Sequence, residues 1–402
     1  MKALILAAGG GLNMTPFSAT MPKSMIHVAG RPVLHRTLHM LRESGFSDVC
    51  LVTGPHGDKV SEYFGSGEAM DLNLNYTKQK KADGIGKAIL LAEKRFNPGE
   101  HFLLIYSDVV TDHNLFSNVL QTFGLTKLPT AGIVLPPESS AFGNVYIDKN
   151  MNITKIVEKP TGKGTGNYVL SGAYVLPYSF FGNLRKAGGD MAKALMLLVK
   201  GEGMKATIWE KGWIDIGAPW DILSANRMIM DTWKTSSVHQ NIVVKDAKIK
   251  GPVHIEEGVT IRSGAIIQGP SFIGKGSYIG NNVLIRKYSS LGPNSVVGFG
   301  VELKNCVLFG NSRIGRLSFI GDSAIGMNVD VGSGTMTING KIDRSKIDVK
   351  VRGKKTPTGM ECLGSFIGDN AVLGSGHTIE AGSIIDNGVV IPHNHSYPKR
   401  GK

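Results

Sequence analysis

"IKGPVHIEEGVTIRSGAIIQGPSFIGKGSYIGNNVLIRKYSSL", residues 249–291, carries an aliphatic residue at every sixth position: Ile249, Ile255, Ile261, Ile267, Ile273, Ile279, Ile285 and Leu291. A period of six fits neither the turn of an α-helix nor the alternation of a simple strand. It fits a left-handed parallel β-helix, in which three hexapeptides make one triangular coil and the aliphatic side chains stack inward. The run continues at the same spacing through Val297, Leu303 and Phe309, slips to five at Ile314 and Ile325, and keeps six at Ile320 and Val331. It is lost over residues 333–362 and returns at Ile367, Leu373, Ile379, Ile385 and Ile391. The interruption is too long for a turn and predicts an arm, a partner-binding loop or a ligand loop. The β-helix itself reads as a stacking and oligomerising device, because solenoids need caps or neighbours.

Upstream of this run the pattern is different. "ALILAA", "DVCLVTG", "LNLNYTK" and "HFLLIYSD" alternate with helical stretches such as "PVLHRTLHMLRESG" and "GIGKAILLAEKRF". That alternation predicts a mostly parallel sheet with helices on both faces, since parallel strands need crossover connections. Ligands of such sheets gather at the carboxyl ends of the strands. "PWDILSANRMIMDTW", residues 219–233, reads as one amphipathic helix that closes the first half. Two domains follow, 1–236 and 237–402.

Bulk properties narrow the partners. The 402 residues include 42% apolar ones and have a formal net charge of +13, a balance that suits nucleic acid, anionic membrane or phosphorylated small molecules. The lysines are scattered apart from short clusters, and no arginine and aromatic ladder is present, so nucleic acid is not expected. The apolar start "MKALILAA" ends in "GGGLNM", too short to span a bilayer, and reads as a buried first strand rather than a leader. Cys50, Cys306 and Cys362 are odd in number and far apart, which predicts no disulfide framework and a reducing cytoplasm. His377, His393 and His395 read as a turn residue and a solvated tail.

Glycines after a first strand are a weak sign alone. The longer stretch "LAAGGGLNMTPFSATMPKSM", residues 6–25, resembles the signature of the sugar-1-phosphate nucleotidylyltransferases, LAAGxGxRxxPxTxxxPKxx, at Leu6, Ala7, Ala8, Gly9, Gly11, Pro16, Pro22 and Lys23. Gln79 with "ADGIGKAI" and Gly84, Asp108 in "IYSD", Gly143 in "FGNV", Glu158 and Lys159 in "VEKP", Gly172 in "LSGAYVL" and Asp215 in "WIDIGAPWD" continue it in order. The resemblance implies an α/β Rossmann-like domain that joins a nucleoside triphosphate to a sugar 1-phosphate. Two anions meet there, so cations and bare backbone N–H groups are needed to neutralise them. Leu6, Ala8, Gly9, Gly10, Gly11 and Asn13 would then cradle the nucleotide with Gln79 and Gly84, Gln79 serving either uracil or thymine. Asp108 and Asp215 would hold Mg²⁺. Lys23 and Lys159 would meet the triphosphate and the sugar phosphate, and Gly143, Glu158 and Gly172 the sugar.

Two departures qualify that expectation. Asn13 stands where the family has an arginine, which predicts a turnover lower by roughly 100- to 1000-fold, the cost of one transition-state donor. Ser107 stands where glycine is usual. The second half resembles the acetyltransferase half of bifunctional bacterial and archaeal enzymes, in "GRLSFIGDSAIGMNVDVGSGTMTINGKID" and "LGSFIGDNAVL". Arg316 and Phe319 replace its histidine base and a tyrosine, while Asn339 is retained. Arginine cannot take a proton at neutral pH, so acetyl transfer is not expected. The leading expectation is a Mg²⁺-dependent enzyme, trimeric through its β-helix. The rivals are a non-catalytic regulatory subunit that binds sugar nucleotide and an acyltransferase of altered mechanism.

Overall fold

A computed structural model describes residues 1–11, 13–81, 83–135, 144–157 and 168–397. The chain forms two compact units, one of Met1–Gly10, Pro22–Met25 and Val33–Asp215, the other of Gly11–Met21, Ile26–Pro32 and Ile216–Lys402. This division falls elsewhere than the expected 236/237 boundary. The helix Asp221–Met230 belongs with the β-helix unit, together with two short segments from the start of the chain.

In the first unit the strand Lys2–Ala7 lies between Asp48–Thr53 and His101–Tyr106 and runs parallel to both. Asn73–Lys78 extends the parallel edge, and Tyr168–Pro177 runs antiparallel beyond His101–Tyr106. The inner strands are apolar on both faces: Leu4, Ile5, Leu51, Val52, Leu103 and Leu104 are all fully buried. Continuous burial of that kind is what a sheet covered on both sides requires. The parallel strands end together, at Ala7, Thr53 and Tyr106. There a second, two-stranded ribbon pairs Val109–Thr111 with Trp213–Asp215.

The second unit contains three parallel sheets of eight strands each, the expected left-handed β-helix. One coil takes 18 residues, as the pairing of His254 with Phe272 and of Phe272 with Ser290 shows. Ile255, Ile261, Ile267, Ile273, Ile279 and Ile285 stack in its core. One expected position is corrected. Leu308, not Phe309, continues the inward column opposite Leu291, so the first five-residue step falls at 308. Phe309 turns outward, where it is fully buried against Phe17, ring centroids 4.9 Å apart, and His27. A second five-residue step, to Ile325, falls on the same sheet.

That outer face carries Phe17, His27 and Gly30 from the two N-terminal segments of this unit. Gly30 lies so close to the ring of Phe272 that a Cβ would collide with it. Asn226, fully buried on Asp221–Met230, accepts the Ala29 N–H at 2.8 Å and donates to the Tyr288 carbonyl at 2.8 Å. The interruption at 333–362 holds a hairpin, Asp348–Val351 with Lys354–Pro357, whose Val349 and Val351 are buried, as is Ile347 just before it. The histidine-rich end is not a free tail: Val390–Ile391 and Ser396–Tyr397 form the last coil, and His393 Nδ1 accepts the Ser375 N–H at 2.8 Å. His377 is buried, its Nδ1 2.6 Å from the His395 carbonyl oxygen. Among the described residues the three cysteines are free and no helix is long and apolar enough to cross a membrane.

Candidate functional site

The carboxyl end of Lys2–Ala7 opens into two clefts of the first unit, of about 180 and 110 Å³, which share Leu6, Gly9 and Ile85. Gly9 explains how a ligand could approach. A Cβ built there meets nothing within 4 Å, and its φ lies outside the left-handed region. The fold therefore does not require glycine at this position, whereas a backbone that must touch a ligand does.

The larger cleft holds Ala8, Gly10, Gln79 and Gly84 as well. Gln79 follows the strand Asn73–Lys78 and is buried. Its Nε2 donates to Asp83 Oδ1 at 2.7 Å and to the Gly84 carbonyl at 3.2 Å. Both neighbours are acceptors, so the amide orientation is fixed and both its hydrogens are used. From a ligand the side chain can then only accept. Gln79, expected to serve either pyrimidine, therefore offers a ligand an acceptor alone. Asp83, absent from the sequence expectations, sets this. Lys87 at 3.1 Å holds its carboxyl below the usual range, and the Gln79 contact lowers it further. Gly84 has φ +110° and open space around a Cβ, so its glycine is demanded by the backbone.

The smaller cleft carries the charges. Lys23 Nζ sits 3.1 Å from Asp108 Oδ2, with side chains 18% and 28% exposed. Asp215 pairs with Val109, the residue after Asp108, across the antiparallel ribbon. Lys23 and Asp108 make a partly hydrated ion pair in the cleft, whose lining does not include Asp215. Among the described residues no group of three or more His, Cys, Asp and Glu could hold a metal. Two carboxylates still fit Mg²⁺, which takes one or two from protein and the rest from phosphates and water. Gly172, at φ +86°, stands in the same unit, its Cβ direction blocked by Val109 and Tyr106 at 3.1 and 3.2 Å.

Gly11 and Asn13 belong to the second unit. Gly11 has φ +53° and accepts the Met14 N–H at 2.8 Å, and Asn13 is exposed. Gly143, Glu158 and Lys159 lie outside the described residues. In the β-helix, Arg316 is exposed, and the Asn339 amide donates to Asp322 at 2.6 Å, where Lys304 and Asn305 also bind. Asn339 is thus committed to a buried carboxylate.

The nucleotidyl transferase family matches residues 2–232, and the GMPPB C-terminal domain matches residues 267–395. A bifunctional sugar-1-phosphate nucleotidylyltransferase/acetyltransferase of Sulfurisphaera tokodaii is 34% identical over 390 residues, covering 95% of this chain and 93% of the relative. The bifunctional protein GlmU of Methanococcus maripaludis is 35% identical over 408 residues, covering 97% and 95%. A solved UDP-glucose pyrophosphorylase complexed with UDP-glucose superposes with TM-score 0.52 at 21% identity over 58% of this chain and 99% of its own, a likeness of fold.

Proposed function

The chain belongs to the nucleotidyl transferase family, and we propose that it moves a nucleotidyl group from UTP or dTTP to a hexose 1-phosphate, glucose 1-phosphate or N-acetylglucosamine 1-phosphate. An oxygen of the sugar phosphate attacks the α-phosphorus, and the bond to the β,γ-pyrophosphate breaks, giving the sugar nucleotide and pyrophosphate. The reading is carried by one observation: Lys23 and Asp108 meet in a cleft that shares the open Gly9 with the cleft of Gln79, and Asp215 pairs with Val109, the residue after Asp108. The Gln79 carbonyl oxygen suits the N3–H of a pyrimidine, the donor common to uracil and thymine. Lys23 offsets phosphate charge, and the Gly9 backbone lets the phosphates come close. Mg²⁺ held by Asp108 and Asp215 would supply further charge neutralisation. Lys159, Glu158, Gly143 and Gly172 are assigned to the sugar phosphate by the resemblance alone.

Asn13 in place of arginine supports slow turnover. Purified chain with Mg²⁺, each triphosphate and each sugar phosphate tests the reaction through pyrophosphate release. Asn13→Arg should raise the rate, and no gain would mean that no cation was missing. Binding of sugar nucleotide without turnover would favour the rival reading, a regulatory subunit, which the replacements Asn13 and Arg316 together support. Acetyl-coenzyme A consumption with an aminosugar phosphate should stay at background. A homotrimer through the β-helix is supported by exposed apolar side chains on successive coils: Phe299 and Leu317, whose backbones are joined at 2.9 Å, with Met336 and Ile338. The reading fits a reducing cytoplasm.

A further inference from the structure

Two serines line the Lys23–Asp108 cleft. Ser24 follows Lys23 in the short turn Lys23–Met25, is 1% exposed, and its Oγ has no hydrogen-bond partner. Ser107 precedes Asp108 and is 4% exposed; its backbone N–H donates to the Leu6 carbonyl at 3.3 Å, and its side chain has no hydrogen bond among the described residues. A buried hydroxyl left unpaired destabilises the free protein, so Ser24 is poorly explained by folding. The position of Ser107 sharpens the point, because the family resemblance puts glycine there, a residue with no hydroxyl to satisfy.

We infer that Ser24 and Ser107 bind the phosphate chain of the nucleoside triphosphate, an inference that rests on the nucleotidyl-transfer reading. Each flanks a charged residue of the cleft, one next to Lys23 and the other next to Asp108. A hydroxyl there donates to a phosphate oxygen, which for the Ser24 Oγ requires a turn about χ1 from its buried position. The Lys23 ammonium is engaged by Asp108, so neutral donors add grip without adding charge to the ion pair. Hydrogen bonds to charged oxygens are the strong ones.

The test is calorimetric titration of the full-length chain with UTP and with dUTP in the presence of Mg²⁺, for wild type, Ser24→Ala, Ser107→Gly and the double variant, with thermal unfolding of each free protein. Each single substitution should raise Kd about 10-fold for both nucleotides. Free Ser24→Ala should melt at the wild-type temperature or above it, because an unpaired polar group has been removed. An unchanged Kd, or a loss confined to UTP, which would move the contact to the ribose 2′-hydroxyl, overturns the assignment. So does a lower melting temperature of free Ser24→Ala, which would mean the fold uses the hydroxyl. Wild type that binds no pyrimidine triphosphate would sink the functional reading itself, whereas tight wild-type binding with indifferent variants would sink only the serines.

Discussion

Replacing Gly9 by alanine separates what the fold needs from what a ligand needs. The added methyl meets no protein atom within 4 Å and the backbone is not left-handed, so it introduces neither clash nor strain. Alanine also narrows the unfolded ensemble, so the free protein should gain about 0.4–1 kcal/mol of stability. The same methyl projects beside both clefts, where a nucleotide backbone would have to pass. Overpacking of one methyl against a well-fitted partner costs about 1–3 kcal/mol. That converts to a Kd for UTP or dTTP raised about 5- to 150-fold, with pyrophosphate release falling at least as much. Urea unfolding reads the first quantity and titration calorimetry the second. Wild-type binding by Gly9→Ala would refute the idea that bare backbone at this position serves the phosphates. Loss of stability would show that the glycine serves the fold instead.

Other outcomes follow from particular contacts. Asn226→Ala removes two buried hydrogen bonds and strands the Ala29 N–H and the Tyr288 carbonyl, so urea unfolding should report a loss of about 2–4 kcal/mol; a loss under 1 kcal/mol would mean that these groups find other partners. Asp215→Asn keeps the ribbon and removes a carboxylate, and turnover should fall steeply while the thermal midpoint holds; wild-type rates at low Mg²⁺ would exclude Asp215 as a metal ligand. Burial, with help from Arg31, pushes the His27 imidazole down to about 4. The unfolded chain takes a proton near pH 6.5 that the folded chain refuses until about 4, so stability is full above pH 6.5 and falls by as much as about 3 kcal/mol on acidification through that window. His27→Asn should flatten this pH dependence, and an unchanged slope would remove His27 as its source.

The inward column of the β-helix was readable because it repeats, and repetition makes each position testify for the next. It misled at one place. Leu308 and Phe309 are both large and apolar, and spacing alone cannot tell which points inward when a coil is one residue short. The packing of Phe309 on Phe17 depends on residues nearly 300 apart in sequence, which no local period reports. Among the site residues, Lys23 and Asp108 were legible from their motifs, and the fold brings them to 3.1 Å. Gln79 was legible as a reader of a pyrimidine but not as an acceptor alone, because Asp83 fixes its orientation only through three-dimensional contact. Ser24 gave no signal, since an unsatisfied hydroxyl is a property of packing and not of composition. Asn13 was placed with the glycine cradle by motif alone, and the chain folds it into the other unit.

The interleaving of the two units bears on how such a protein can be taken apart. Phe17 and His27, from the start of the chain, complete a face whose other half lies beyond residue 300. No single cut yields two self-sufficient pieces: truncation after residue 236 would strand Phe17 and the Gly30 region in water, and the liberated solenoid would show a bare aromatic flank. A chain that traded one half for another would need these two short N-terminal stretches, or new cover for Phe272 and Phe309, to come with it.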